Sequence, residues 1–154
     1  MTRRTARSVH QLVELGAVVL HGCSVERGDA DHTDPGKVSS DVDIHPSYDD
    51  DGLVYLVSTT HRFDNKDGQR IVDIASSFVA AYEAPSDVTF TEDEVEEHAR
   101  TWVMPVVAPF IREFLASMTN RLGMPVFFLP LVHLDPTIQA GWHKRAAPPG
   151  KAGG

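Results

Sequence analysis

The chain has a single cysteine, Cys23, so it has no internal disulfide framework and no cysteine-built metal site. A thiol left unpaired fits a reducing compartment. No segment approaches the roughly eighteen consecutive apolar residues that a membrane span needs. The opening arginines precede an apolar stretch, but Val18–Leu20 is short, Glu14 interrupts the approach and no cleavage site follows. The expectation is a cytoplasmic protein without a leader. Basic charge is also scarce: 14 Lys and Arg stand against 22 Asp and Glu, a formal net charge of -8. That balance disfavours nucleic acid and anionic membrane surfaces and favours basic or unfolded partners. Neither a GxSxG elbow nor a glycine-rich phosphate loop, a dinucleotide fingerprint or an HExxH pair is present. Nothing here reads as catalysis, and no cofactor is expected.

The residues that could carry chemistry are scattered. The eight histidines (His10, His21, His32, His45, His61, His98, His133 and His143) show no metal-ligand spacing. Asp29, Asp31, His32 and Asp34 could gather a cation, but they lack the fixed Gly and terminal Glu of a calcium loop, and a solvated acidic turn is the plainer reading. The same holds for Asp49-Asp50-Asp51. His21 and Cys23 lie two residues apart on a strand; a half-buried structural thiol explains them more simply than a nucleophile pair. The exposed basic residues Arg3, Arg4, Arg7, Lys144, Arg145 and Lys151 sit at the termini.

At 154 residues one domain is the default, here 1–154 with residues 1–8 and 143–154 as flexible tails. A short helix through Leu15 leads into a strand at Ala17–Glu26. Val38, Ser40, Val42 and Ile44 alternate with Ser39, Asp41, Asp43 and His45, the two-residue period of a half-buried strand. Leu53–Phe63 is rich in β-branched and aromatic residues and gives a third strand. Asn65-Lys66-Asp67-Gly68 is a hairpin signal, because Asp-Gly tolerates positive φ. Ile71–Glu83 gives a fourth strand, with Val72, Ile74, Phe78 and Tyr82 on one face. Four consecutive strands predict an antiparallel meander.

Pro85 ends the sheet, and Thr91 caps a helix whose first turn, Glu92-Asp93-Glu94, suits the positive end of the helix dipole. The dominant element follows. Val103, Val106, Val107, Phe110, Ile111, Phe114, Leu115, Met118 and Leu122 recur at steps of three and four, the spacing of one helix face. Pro105 is harmless early in this helix, Pro109 should bend it, and Gly123 and Pro125 end it. Asp135-Pro136 then begins a short final helix toward Trp142. One antiparallel sheet with helices gathered at the chain's end predicts an α+β fold.

Such a helix on such a sheet leaves apolar surface over. One helix on one sheet accounts for part of it; self-association through Val107, Phe110, Ile111, Phe114, Leu115 and Met118 is the preferred account of the remainder. The apolar segment Phe127, Phe128, Leu129, Leu131, Val132, Leu134, Ile138 and Trp142 is bounded by prolines, and an extended segment cannot bury both faces. Binding is therefore the expected activity.

The residues from Pro105 to Val132 resemble the SecB family of export chaperones. The resemblance rests on Pro109-Phe110-Ile111-Arg112-Glu113-Phe114-Leu115, then Met118-Thr119-Asn120-Arg121-Leu122-Gly123-Met124-Pro125, then Leu129-Pro130-Leu131-Val132. The order of elements over residues 17–142 is similar too, by pattern alone. The resemblance implies a homotetramer, a dimer of dimers, that holds unfolded preproteins in extended form along apolar grooves without ATP and delivers them to the SecA motor. On that basis Val42, Ile44, Phe127, Leu131, Leu134, Ile138 and Trp142 are the groove candidates, and Glu26 and Asp73 the carboxylates for SecA docking. Gly22 stands where the family often has an aspartate, Gly141 interrupts the final helix, and the tail is basic where an acidic one is usual. These departures bear on SecA docking more than on client binding. The alternative role within the same fold is a SecB-like chaperone dedicated to the antitoxin of a toxin–antitoxin system. A third reading, of another class, is a small hydrolase or metal enzyme using His21, Cys23 or the Asp29–Asp34 loop.

Overall fold

The computed structural model describes residues 9–31, 35–49, 52–129, 135–139 and 143–144. Helix α1 is a single turn, Val9–Leu12. Strands β1 (Glu14–Arg27), β2 (Pro35–Asp49), β3 (Gly52–Asn65) and β4 (Arg70–Glu83) are long and antiparallel. Helix α2 (Glu92–His98) passes through a π turn at Ala99–Val103 into α3 (Met104–Arg121). Two-residue strands β5 (Thr137–Ile138) and β6 (His143–Lys144) follow.

The α+β class holds, but the strand order is β1-β4-β3-β2 rather than a sequential meander. β2, β3 and β4 form the meander, and β1 joins beyond β4 as the fourth strand of a Greek-key arrangement. The hairpin signal between β3 and β4 explains part of this order. Asn65 Oδ1 accepts from the backbone N–H of Asp67 (3.0 Å) and of Gln69 (2.9 Å), and Gly68 takes φ +79°. That turn ties β3 to β4, and the Asp49↔Gly52 pairing ties β2 to β3 with a two-residue connection. The longer link between β1 and β2 leaves β1 free to take the other edge.

Alternation decides the faces. Leu53, Tyr55, Val57, Thr59, His61 and Phe63 of β3 are buried, and so are Val72, Ile74, Ser76, Phe78, Ala80 and Tyr82 of β4. Register places these on one face, with Val42 and Ile44 of β2 beside them. Against that face α3 buries Val107, Ala108, Ile111, Leu115 and Thr119. Burial of a Leu- or Ile-sized side chain is worth about 1.5–3 kcal/mol, so this stripe is the main attachment of helix to sheet.

The helical run begins where Thr91 was expected to cap it. Its Oγ1 accepts from Glu94 N–H, and Glu94 reaches back to Thr91 N–H, a reciprocal capping box. Pro105 falls just after the π turn. In that turn Met104 N–H bonds back to Ala99 O, and Pro105 stands in the first turn of α3, where its missing N–H costs least. The expected break into two helices is thereby replaced by one continuous helical run from Glu92 to Arg121.

Of the final helix expected from Asp135 toward Trp142, the described residues 135–139 are not helical. Thr137–Ile138 and His143–Lys144 instead pair in parallel with β2. The edge of β2 offers unpaired main-chain groups, and a β-branched Thr-Ile pair fits a strand better than a helix start.

Candidate functional site

Burial sorts the helix residues expected at an oligomer interface into two groups. Val107, Ile111 and Leu115 are fully covered by the chain's own sheet, so they form core and cannot meet a second copy. Phe110, Phe114 and Met118 lie on the flank of α3 above β1; Phe110 is 42% exposed. The helical period separates these groups by about one residue step, too fine a distinction for sequence spacing.

The three flank residues face Leu20, Cys23 and Phe78 across an open trough of about 390 Å³. Phe78 anchors its floor, with ring centroids 6.4 Å from Phe110 and 6.2 Å from Phe114. Glu113, Ser117 and Arg121 form a polar rim. Beside the trough, β1 is exposed along nearly all its length, with Leu15, Val19 and Leu20 at 42%, 55% and 47%. Val19 lies on the outer face and Leu20 on the inner one, so apolar side chains flank an open edge on both sides. Nothing among the described residues pairs with that edge. A long, open, apolar edge thus lies next to an apolar trough, the kind of surface a soluble chain usually covers with a partner.

The groove candidates are split. Val42 and Ile44 are buried in the core face of β2, at 6% and 0% exposure. Phe127 is half-buried, its ring set edge-on to Phe63 at 5.2 Å, and its backbone N–H donates to Thr119 Oγ1 at 3.0 Å. Ile138 is half-buried on β5. Leu131, Leu134 and Trp142 lie outside the described residues. Phe128, not among the candidates, is the most exposed large apolar residue among the described residues at 60%, with the Arg112 guanidinium 5.4 Å from its ring centroid.

On the outer face Glu26 stands directly opposite Asp73. Asp73 is not a free carboxylate: Arg70 reaches it at 2.9 Å and Arg62 at 3.4 Å. Sequence pattern could not show this, because Arg62 comes from the neighbouring strand by register. Cys23 is exposed at the mouth of the trough, and the register of β1 slips between Leu20 and Gly22, so His21 and Cys23 are not simple alternate neighbours on one face. Of the first acidic loop, Asp29 and Asp31 are exposed, while His32 and Asp34 lie outside the described residues. Among the described residues no three of His, Cys, Asp and Glu come together as metal ligands, and no helix is long and apolar enough to cross a membrane.

Two histidines are buried in the core, which sequence reading did not single out. His61 Nδ1 lies 2.7 Å from Ser40 Oγ, and His98 Nδ1 lies 2.7 Å from Tyr55 Oη. Burial lowers both pKa values to about 4; nearby Asp41 opposes the shift at His61, and His10 adds to it at His98. Their Nε2 atoms and Tyr82 Oη are buried without a partner among the described residues. The period-two alternation of β3 would have found His61, which sits in phase with Tyr55, Val57 and Phe63.

No protein-family model matches the sequence, and no curated protein matches it. Among solved structures, the SecB-like chaperone Rv1957 of Mycobacterium tuberculosis, in complex with a ChAD peptide from the HigA1 antitoxin Rv1956, superposes with a TM-score of 0.70. The match covers 81% of this chain and 91% of that one at 18% identity. A protein of unknown function from Streptococcus agalactiae matches far more weakly, with a TM-score of 0.36 at 12% identity. The fold of the present chain is therefore SecB-like.

Proposed function

We propose that this SecB-like fold is a single-domain, non-catalytic holding chaperone, acting without nucleotide in the cytoplasm on extended non-native polypeptides. One observation carries the reading: a fold shared with a peptide-binding chaperone displays apolar residues along an open strand edge and trough. Affinity in such a system comes from apolar burial, about 25 cal/mol per Å², summed over a long wrapped chain.

The assembly we propose is a homotetramer, a dimer of dimers. The open edge of β1 would pair with a second β1 about a two-fold axis, and Phe110, Phe114 and Met118 would cover the trough between dimers. These two surfaces adjoin, so one arrangement satisfies both.

Of the two client roles, the dedicated antitoxin chaperone is favoured over delivery of preproteins to SecA. The solved relative of this fold holds an antitoxin peptide. Asp73, the carboxylate expected to dock SecA, is already paired with Arg62 and Arg70. The test is light scattering from an unfolding substrate mixed with the purified protein. Aggregation is suppressed without nucleotide, and chelator has no effect. Unchanged scattering would sink the reading, and a requirement for metal would revive the enzyme alternative. Titration against an antitoxin encoded beside its gene, compared with a secretory precursor and with SecA, separates the client roles.

A further inference from the structure

The two edges of the sheet are treated differently. β1 is open, whereas β2 carries main chain from the far end of the sequence. Thr137 and Ile138 pair with Asp43 and Ile44. Gln139 donates its backbone N–H to Ile44 O at 2.9 Å and its side-chain Nε2–H to Asp43 Oδ1 at 3.0 Å. The root of this segment is pinned from the helical side, where Arg100 donates to Asp135 Oδ1 and to Pro136 O, both at 3.2 Å.

The strand itself is weakly attached, although His143 and Lys144 extend pairing along the same edge at Ser47 and Tyr48. A two-residue strand is well below the usual length of about five or six. Its pairing is parallel, the less stable ladder per residue. Pro136 is buried at the root, but Thr137 and Gln139 are exposed and Ile138 is half-buried, so the strand itself buries little apolar area. The anchoring pair of Arg100 and Asp135 is exposed, 44% and 92% at the side chains, where ion pairs contribute little.

We propose that Thr137–Gln139 is a resident strand, holding a place on the edge of β2 that an extended segment of a bound non-native polypeptide takes by strand exchange. This rests on the holding reading and names where the client's main chain is held. Each main-chain hydrogen bond lost by the resident strand is replaced by one from the incoming strand, so the exchange costs little. Recognition through main chain ignores sequence, as holding varied extended segments requires. Because the resident competes with the client, apparent affinity is scaled down to the fraction of time the edge stands vacant.

The test follows the Gln139 amide by hydrogen exchange in the full chain. Reduced, carboxymethylated α-lactalbumin serves as a permanently unfolded probe. In the free protein the Gln139 amide is protected by Ile44 O; at saturating probe it exchanges at least about tenfold faster. Gln139→Pro removes that donor, and Arg100→Ala releases the root; each tightens probe binding by about three- to fivefold, the scale of one net hydrogen bond. Far-UV circular dichroism confirms that both variants are folded, and the exchange measurement needs neither. Probe binding with Gln139 still protected, or a Gln139 amide unprotected from the start, overturns the inference while the holding reading stands. Absence of probe binding overturns both.

Discussion

Tyr55 Oη and His98 Nδ1 meet at 2.7 Å inside the protein, and this contact ties the end of α2 to the centre of the sheet. The rings of Tyr55 and Tyr82 both pack around the imidazole, with centroids 5.4 Å and 4.9 Å away. His10, stacked on Trp102 at 3.4 Å, adds α1 to the same corner. Tyr55→Phe leaves His98 Nδ1, like Nε2, buried and without a partner among the described residues. The expected cost is about 1–3 kcal/mol in urea denaturation, against much less for an exposed position such as Arg62→Lys.

The same corner makes the fold acid-sensitive. His98 and His61 have folded pKa values near 4, below the ordinary value of 6.5. A histidine held neutral in the folded state stabilises fully above the unfolded pKa and loses that contribution as pH falls toward the folded one. Stability should therefore decline between about pH 6.5 and pH 4, by up to about 3 kcal/mol for each histidine. Denaturation midpoints measured across that range check the slope, and His61→Asn should remove one proton's worth of it. An unchanged slope in that variant would show that His61 is not held neutral.

Core and surface residues of α3 should separate cleanly. Ile111→Ala removes buried volume and should cost about 2–5 kcal/mol of stability. Phe110→Asp with Met118→Asp should leave the denaturation midpoint nearly unchanged and shift sedimentation from about four chains to a smaller particle. If the double variant sediments like the parent, the trough is not an interface between copies.

Thr119 links α3 to the segment that follows it. Its hydroxyl donates to Leu115 O at 2.8 Å and accepts from Phe127 N–H at 3.0 Å. Thr119→Val keeps the shape and removes both bonds. Global stability should fall by about 1–2 kcal/mol, and the Phe127 amide should lose its exchange protection.

The ion pairs of Asp73 should matter little to stability. Asp73→Asn should cost about 1 kcal/mol or less, shrinking further in 0.5 M salt, because both arginines are well exposed. A large, salt-insensitive loss would mean that the carboxylate carries more of the fold than its exposure implies.

Much of the architecture was legible along the chain because it is encoded locally. Period-two alternation marked β2, a shared apolar face marked β4, and β-branched and aromatic content marked β3. Asn65-Lys66-Asp67-Gly68 marked the hairpin, and Thr91 with Glu94 marked the helix start. The stripe from Val103 to Leu122 marked the helix's apolar side, but Val107, Ile111 and Leu115, expected between copies, prove to be core and could not be told from the flank at Phe110, Phe114 and Met118. The β5 segment was misread because two extended residues carry no period, and only an unpaired edge elsewhere in the fold makes them a strand.

The candidate site was less legible, and for one reason. Which apolar residues are left open depends on where the helix settles and which strand takes the outer edge, and both are set by contacts between residues far apart in the chain. By itself the sequence determined the strands, the helix and its apolar stripe, since each follows from the spacing of neighbours. Only the tertiary structure decided that β1 takes the far edge, that Ile111 and Leu115 are core while Phe110 is not, and that Arg62 meets Asp73. Pairing register brings those groups together, and no local pattern encodes it.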